Sequence, residues 1–192
     1  MNVKEDARIK KTRARLISTF RILLAQKNFE DITVNEICTI SDVRRATFYK
    51  HFADKYSFFK YFVGFLRKEF DVKLAKRAKA ESTSAYYVEY LCGLVGFLTE
   101  NEKMVNNVLE SSALPALLDV IKEKNYEDTC EKLRESERLG LKLPASVEVT
   151  GAMMTGAVAE TIIRWYRGGK KTPKEVLINE TSAVILKMSN LG

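Results

Sequence analysis

The sequence predicts an all-α protein of 192 residues, and three observations support this prediction. Apolar residues recur at helical spacing along nearly the whole chain, without the alternation typical of a half-buried strand. Two short helical segments flank a tight turn within residues 33–55. Near the C-terminus, Pro144 and Pro173 mark two helix starts, and Gly168 with Gly169 marks a helix end. About nine helices are expected in total.

The first predicted helix runs from about Asp6 to Lys27, and Asn28 ends it. Its apolar residues fall on one face, as in a surface helix that packs against a core. These residues are Ile9, Leu16, Phe20, Leu23 and Leu24. The helix is therefore expected to support the two short helices that follow it.

A short second helix is predicted from Val34 to Ile40. Thr33 precedes it and Glu36 stands three residues further on, so each side chain can accept a hydrogen bond from the other residue's backbone amide. Its apolar residues, Ile37 among them, share one face. The segment therefore reads as a capped, amphipathic helix.

The tight turn lies around Asp42, where a residue that tolerates positive φ is needed. Aspartate enters the left-handed region at a lower cost than most residues that carry a side chain. Val43 then fills the angle between the helices, and the apolar pattern resumes at Ala46 and continues through Phe48 to Phe52. Two short helices joined in this way have the layout of a DNA-reading helix-turn-helix.

The outward residues of the third helix carry charge of one sign. Within residues 43–53 the charged or basic side chains are Arg44, Arg45, Lys50 and His51, with no acid among them. One-sided charge favours a polyanion, and arginine can bind guanine O6 and N7 with two hydrogen bonds. We therefore expect Arg44 and Arg45 to contact bases. Taken alone, the segment is as compatible with a helical hairpin that has a solvated basic face.

Several of these residues together resemble the signature of the TetR/AcrR family of bacterial transcriptional regulators. They are Thr33, Val34, Ile37, Val43, Thr47, Phe48, Tyr49, Phe52 and Lys55. The resemblance covers roughly residues 8–60, about a quarter of the chain. It implies that Arg44 and Arg45 enter the major groove of double-stranded DNA. It also implies that five side chains lie against the DNA backbone: Thr33, Thr47, Tyr49, His51 and Lys55.

The chain departs from the family pattern at three positions. Asp42 stands where the family commonly has glycine, and Asn28 replaces a glycine after the first helix. Arg44 takes the place of the small hydroxyl residue that usually caps the recognition helix. Because Asn and Asp are the best substitutes for glycine at such backbone positions, we expect the fold to be kept. Only the capping role at Arg44 is in question, and an arginine there can add a DNA contact instead.

Charge and family resemblance together divide the chain into a helix-turn-helix DNA-binding domain, residues 1–55, and a helical regulatory and dimerisation domain, residues 56–192. Residues 1–60 hold 13 of the 32 Lys and Arg residues but only 7 of the 25 acids. The rest of the chain is nearly neutral, so the nucleic-acid surface is expected at the N-terminus.

The larger domain continues with predicted helices at regular intervals. Asp54 is expected to cap a long fourth helix that reaches about Ala80 and is the candidate for passing a ligand signal to the DNA-binding helices. The later helices are expected at Ser84–Thr99, Glu102–Leu109, Pro115–Leu139, Ala145–Arg167 and Lys174–Met188.

Small and apolar residues on the last two helices suggest close helix packing. They are Gly151, Thr155, Gly156, Ala159 and Ile162, with Val184, Ile185 and Met188 on the final helix. A monomer could bury both stripes in its own core. The family resemblance favours a homodimer built by these helices, and a two-fold protein would explain recognition of a palindromic operator.

The resemblance also implies a pocket for a small-molecule effector in the larger domain. Aromatic residues that could line it are Tyr61, Phe62, Phe65, Tyr86, Tyr90 and Phe97. The alternative is that these residues are ordinary core. No charged cluster indicates which class of ligand would bind.

The sequence argues against an enzyme, a metal site and a membrane protein. The only histidine is His51, no phosphate-binding or dinucleotide-binding glycine pattern occurs, and no stretch reaches membrane-spanning length. Cys38, Cys92 and Cys130 are widely spaced, which suits buried thiols in a reducing compartment. We therefore expect a cytoplasmic protein with no cofactor, no metal and no catalytic residues.

The predicted function is a DNA-binding transcriptional regulator, a homodimeric repressor released from its operator by a ligand. The alternative is a protein of the same fold that acts through a partner protein, and the arginine at position 44 leaves room for it.

Overall fold

The computed structural model describes residues 7–77 and 83–189, and these residues form nine α-helices and one short 3-10 turn, with no strand. The all-α prediction is confirmed. In chain order the helices are α1 Ala7–Gln26, α2 Val34–Ser41, α3 Arg45–His51, α4 Lys55–Arg77, α5 Thr83–Glu100, α6 Glu102–Leu109, α7 Leu114–Arg138, α8 Val147–Arg167 and α9 Lys174–Met188; the 3-10 turn is Phe29–Asp31.

The helix boundaries follow local capping chemistry. Helix α8 begins two residues later than expected because Ser146 caps it, its side chain accepting a hydrogen bond from the backbone N–H of Val149 at 3.3 Å. Gly168 and Gly169 end α8, and Gly169 has a φ of 76°. The predicted end of α4 near Ala80 lies outside the described residues.

The backbone of Asn28 is not left-handed, although its place at a position where the family has glycine suggested that it would be. It precedes the 3-10 turn with φ −62° and ψ 152°, which any residue adopts. No left-handed residue is needed here, because a 3-10 turn and not a glycine cap follows α1. The second departure, Asp42, is left-handed as expected, with φ 52° and ψ 47°.

The chain forms two compact units, and two of the three boundaries between them lie inside helices. One contains the described residues up to Leu66 together with Asn101–Leu118; the other contains Arg67–Glu100 and the residues from Asp119 onward. Helix α6 therefore belongs with the N-terminal helices, where Asn107 donates a hydrogen bond to the carbonyl oxygen of Leu24 at 2.8 Å. The functional division after residue 55 stays a prediction.

The core of the first unit is aromatic. Six phenylalanine side chains are fully buried: Phe20, Phe29, Phe48, Phe58, Phe59 and Phe62. The ring of Phe58 lies 5.0 Å from that of Phe20 on α1 and 5.4 Å from that of Phe48 on α3. Each such ring contributes on the order of 1.5–3 kcal/mol by burial, so this cluster fixes α3 against α1 and α4.

The second unit has an apolar core and one buried polar network. The core includes Tyr87, Cys130, Leu133, Val147, Met154 and Ile185. Arg67 on α4 donates hydrogen bonds to Asp71 at 2.7 Å, to Asp128 on α7 at 2.8 Å, and to the side-chain oxygen of Asn125. The bonds to Asp128 and Asn125 hold α4 to α7, and the Arg67 side chain that makes them is only 13% exposed.

Candidate nucleic-acid interface

The start of α2 is capped by Thr33 alone. The Thr33 hydroxyl oxygen accepts a hydrogen bond from the backbone N–H of Glu36 at 3.1 Å. The expected reciprocal bond, from the backbone N–H of Thr33 to the Glu36 carboxylate, does not form, because both carboxylate oxygens lie 2.7 Å from Nζ of Lys27 near the end of α1. Glu36 therefore ties α1 to α2. The exposed Thr33 hydroxyl still has its own hydrogen to donate.

The turn between α2 and α3 is held from outside by α1. Asp42 caps α2 in the left-handed region, and the backbone N–H of Val43 donates to the carbonyl oxygen of Cys38 at 2.9 Å. Arg15 reaches from α1 to the carboxylate of Asp42 at 3.3 Å and to its carbonyl oxygen at 3.4 Å. The aspartate thus adds a cross-link that a glycine at this position could not make through a side chain.

Arg44 precedes α3 without capping it through its side chain. Its backbone is extended, with φ −63° and ψ 138°, and its carbonyl oxygen accepts from the N–H groups of Thr47 and Phe48. The side chain is exposed and makes no capping hydrogen bond. The missing hydroxyl cap leaves backbone N–H groups at the start of α3 open to solvent or to an anion.

Helix α3 exposes a continuous set of residues above its buried Phe48. Arg45, Ala46, Tyr49 and Lys50 are all exposed, and the guanidinium of Arg45 lies 5.9 Å from the centre of the Tyr49 ring. Ala46 does not join the apolar side as the sequence pattern suggested, whereas Phe48 and Phe52 are buried there. Its exposure beside Arg45 was not readable from spacing alone.

The remaining polar residues of this surface are less exposed. Thr47 and His51 are half-buried, and the ring of His51 lies 6.2 Å from that of Phe52. Both belong to the same short helix as the exposed Arg45 and Lys50.

Lys55 is a structural residue in this unit. Its ammonium donates three hydrogen bonds, to the carbonyl oxygens of Phe29 at 2.7 Å, Ile32 at 2.8 Å and Glu30 at 3.2 Å. Burial lowers the pKa of Lys55, an effect that Glu30 and Asp31 partly oppose. Because all three of its N–H bonds are used inside the protein, the expectation of a phosphate contact at Lys55 is replaced by a role in holding the 3-10 turn.

Three acids near α2 and α3 are engaged within the protein, which leaves the surface of α3 basic. Glu36 pairs with Lys27 and Asp42 with Arg15, while Asp54 accepts a hydrogen bond from the backbone N–H of Ser57 at 2.6 Å. Arg44, Arg45 and Lys50 take part in none of the ion pairs among the described residues. The positive charge of α3 is therefore available to an external anion.

Comparison with known proteins agrees with this geometry. Residues 16–62 match the family model described as bacterial regulatory proteins, tetR family. The resemblance to the TetR family is confirmed. No curated protein matches the chain. Residues 16–62, which contain the buried phenylalanine core and all of α2 and α3, are thus a TetR-type helix-turn-helix segment.

Solved structures show the same fold over nearly the whole chain. A putative TetR-family transcriptional regulator from Rhodococcus sp. superposes with a TM-score of 0.75 at 15% identity, covering 94% of this chain and 99% of that one. One from Syntrophomonas wolfei gives a TM-score of 0.75 at 15% identity, covering 95% and 96%. A TetR transcriptional regulator from Streptococcus agalactiae gives 0.65 at 22% identity, covering 94% and 97%. These likenesses concern the fold.

The residues expected at a dimer face divide into two groups. Gly151, Ile162 and Ile185 are buried in the core of the protomer, so they cannot form such a face. Gly156 and Val184 are exposed, and Thr155, Ala159 and Met188 are half-buried. The exposed apolar side of α8 consists instead of residues outside the expected set: Val149, Ala152 and Met153, with Val176 on α9.

The aromatic residues expected in one pocket belong to different compact units. Tyr61, Phe62 and Phe65 lie in the first unit, and Tyr86, Tyr90 and Phe97 in the second. Phe62 packs against Phe20 with ring centres 5.1 Å apart, which makes it ordinary core. Burial raises the pKa of Tyr90 to about 12, and its ring lies beneath Arg67 at 5.9 Å. That tyrosine is part of the polar network of α4, α5 and α7.

Among the described residues, no group of His, Cys, Asp and Glu has the arrangement of a metal site. None of the described helices combines the length and apolar character needed to cross a membrane.

Proposed function

We propose that this protein is a DNA-binding transcriptional regulator, a homodimeric repressor that recognises a palindromic operator and is released by a small-molecule effector. The observation that carries the DNA-binding part is the unpaired basic surface of α3, where Arg44, Arg45 and Lys50 are exposed on a TetR-type helix-turn-helix. Repression and release by an effector are the family's more frequent behaviour, and the proposal adopts them from the resemblance.

Base reading is assigned to the start of α3, because the N-terminal residues of a recognition helix contact base edges in the major groove. Arg45, oriented by the Tyr49 ring at 5.9 Å, is the first candidate for a bidentate bond to guanine. The exposed methyl group of Ala46 suits the C5-methyl group of thymine. Arg44 contacts either a base or a phosphate.

Backbone contacts are assigned to polar groups around this centre. Thr33, Thr47, Tyr49, Lys50 and His51 carry donors that bind phosphate oxygens and so orient the helix without reading sequence. Lys55 is left out, since its ammonium is bound to three backbone carbonyl oxygens.

The dimer is assigned to the exposed apolar side of the last two helices. Val149 and Met153 on α8 are 50% and 56% exposed, and Val176 and Val184 on α9 are 41% and 55% exposed. Gly156 lies on the same side of α8 and permits close approach of another helix. Exposed apolar groups of this kind mark interaction surfaces, and a two-fold arrangement would match a palindromic operator.

The first experiment is selection of genomic fragments by the purified protein at moderate salt, followed by footprinting. A palindromic footprint is the expected result, and its neighbouring genes would narrow the search for the effector. If no fragment is enriched, even at low salt and after refolding away from ligand, the protein acts through a partner protein instead and the proposal fails.

The decisive variant is Arg45→Ala, which should weaken specific binding by about 1–3 kcal/mol if Arg45 makes a bidentate base contact. Arg164→Ala is the matched control, because Arg164 is exposed on α8 and, within residues 7–77 and 83–189, pairs only with Glu160 of its own helix. Equal binding by both variants would remove Arg45 from the base contacts.

A further inference from the structure

The second half of α7 presents a charged groove that the proposed function does not use. The groove has a volume of about 680 Å³, is open to solvent, and is lined, among the described residues, by residues of α7. Four of its residues, Glu127, Glu131, Arg134 and Arg138, are exposed and follow one another at intervals of four, three and four positions. This spacing puts them on one side of the helix, and we call them the α7 stripe.

The α7 stripe has its acids at one end and its bases at the other. Glu127 and Glu131 come first along the helix, and Arg134 and Arg138 follow. Glu127 lies as far before the midpoint between positions 132 and 133 as Arg138 lies after it, and the same holds for Glu131 and Arg134. The stripe is therefore complementary to itself when reversed.

We propose that the α7 stripe is a docking surface for the α7 stripe of a second copy of this chain, arranged antiparallel about a two-fold axis. Glu127 would then face Arg138 of the second copy, and Glu131 would face its Arg134; the symmetry repeats both pairs. A parallel arrangement would bring Glu127 to Glu127 and Arg138 to Arg138. Like charges across an interface oppose docking, so the charges also select the orientation.

The side chains of the stripe are free to exchange partners. Glu131 and Arg138 take part in no ion pair among the described residues. Arg134 pairs with Glu148 and Glu127 with Lys124, but these side chains are 50–59% exposed. Exposed pairs of this kind are weak, so the pairs across the axis can replace them at little cost.

The stripe itself is charged throughout. Leu139, directly after Arg138, is 81% exposed. Because one position along a helix is about 100° round its axis, this side chain lies off the stripe. Two crossing helices bury less than a standard interface, so the contact should be weak and salt-dependent.

This contact is separate from the proposed dimer of α8 and α9. If both form, the α7 contact joins two dimers; without the α8 and α9 dimer it joins two single chains. The test is sedimentation velocity on the full chain across a range of concentrations at 0.1 M and 0.5 M salt, with folding of each variant checked by circular dichroism. The expected result is a weak association step that high salt suppresses.

Reversing single charges in the α7 stripe tests whether the stripe is the docking surface. Glu131→Arg and Arg134→Glu should each raise the dissociation constant of this step at least about tenfold, and the double variant E131R/R134E should restore it to within about threefold. Lys122→Glu, an exposed charge reversal on another side of α7, should leave the step unchanged, as should Glu148→Gln, which removes only the present partner of Arg134.

Two outcomes overturn the inference: single reversals that leave the association intact, or a double variant that fails to restore it. Two other variants distinguish failure of this inference from failure of the proposed function. Met153→Glu should abolish the α8 and α9 dimer but keep the α7 step, and Arg45→Ala should weaken specific DNA binding but keep both association steps.

Discussion

The ammonium of Lys55 lies 2.7 Å from the carbonyl oxygen of Phe29 and 4.2 Å from the centre of the Phe29 ring. The lysine at the start of α4 thus binds both the backbone and the side chain of the first residue of the 3-10 turn. Two further carbonyl oxygens, of Glu30 and Ile32, complete its set of partners. The turn comes directly before α2, so Lys55 stabilises the start of the helix-turn-helix by holding this turn in place.

Replacing Lys55 by methionine should destabilise the protein rather than only weaken DNA binding. The change leaves three carbonyl oxygens without their charged donor, at a cost of about 2–4 kcal/mol in the free energy of unfolding. Urea denaturation measures this cost. Lys60→Met, an exposed change on the same helix, should cost less than about 0.5 kcal/mol.

The salt dependence of DNA binding gives a second test of the same residue. If Lys55 makes no phosphate contact, the slope of the logarithm of the DNA-binding constant against the logarithm of salt concentration should be the same, within experimental error, for the folded Lys55→Met variant and the parent. A slope reduced by about one unit would show that Lys55 binds a phosphate after all.

Glu30 should make the stability of the first unit depend on acid pH. Its carboxylate accepts a hydrogen bond from the backbone N–H of Ser112 at 2.6 Å, and hydrogen bonds from the side chain and backbone of Ser112 lower the pKa of Glu30 below its ordinary value of 4.5. A carboxyl whose native pKa is lowered contributes stability above its unfolded pKa and loses it as pH falls through the native pKa.

The matching experiment compares urea unfolding of the parent and Glu30→Gln at pH 7 and at pH 3. The difference between them should be present at pH 7 and shrink below about pH 4.5, where the unfolded chain begins to take up the proton. Glu123→Gln on α7 controls for the loss of one negative charge. A difference that stays constant with pH would mean that the charge on Glu30 plays no part.

Asp42 should tolerate glycine and asparagine but not a β-branched residue. Its φ of 52° lies in the left-handed region, where a valine costs about 1–2 kcal/mol more than at an ordinary position. Glycine relieves the backbone but loses the hydrogen bond from Arg15 to the carboxylate, so Asp42→Gly should change the free energy of unfolding by less than about 1 kcal/mol. Chemical denaturation of the three variants tests this expectation. An unchanged free energy of unfolding for Asp42→Val would contradict it.

Gly151 should be required for the approach of α8 to α7. A Cβ atom at this position would lie 2.7 Å from Sγ of Cys130, too close for van der Waals contact. Gly151→Ala should therefore lower the melting temperature and cost about 1–3 kcal/mol. Adding Cys130→Ala should recover part of that loss, because it removes the sulfur that the new methyl group meets.

A second glycine provides the control. A Cβ atom at Gly96 in α5 would meet nothing within 4 Å, so Gly96→Ala should stabilise the helix by about 0.5–1 kcal/mol. If Gly151→Ala also stabilised the protein, α7 and α8 would not be in close contact at Gly151.

The DNA-facing chemistry was predictable to the extent that it depends on local pattern. The cap at Thr33, the left-handed turn at Asp42 and the one-sided charge of α3 all follow from residues within one or two helical turns of each other. Ala46 was assigned to the wrong side because a seven-residue helix is too short for apolar spacing to define its buried face.

The placement of Lys55 and Gly151 depended on distant parts of the chain. The three carbonyl oxygens that bind Lys55 belong to residues 23 to 26 positions earlier. Gly151 was expected on a dimer face because its neighbours are small, but the partner that occupies the space is Cys130 on α7. Spacing along one helix shows that a face is small and does not show what packs there.

Local information in the sequence by itself determined the all-α class, most helix boundaries and the TetR-type helix-turn-helix, because capping, turn chemistry and apolar period act between near neighbours. Only the tertiary structure decided which cations remain exposed and which are bound inside. Arg45 is free while Lys55 is held by backbone carbonyl oxygens. That difference arises from contacts between chain segments far apart in sequence. The spacing of residues along a single helix does not predict such contacts.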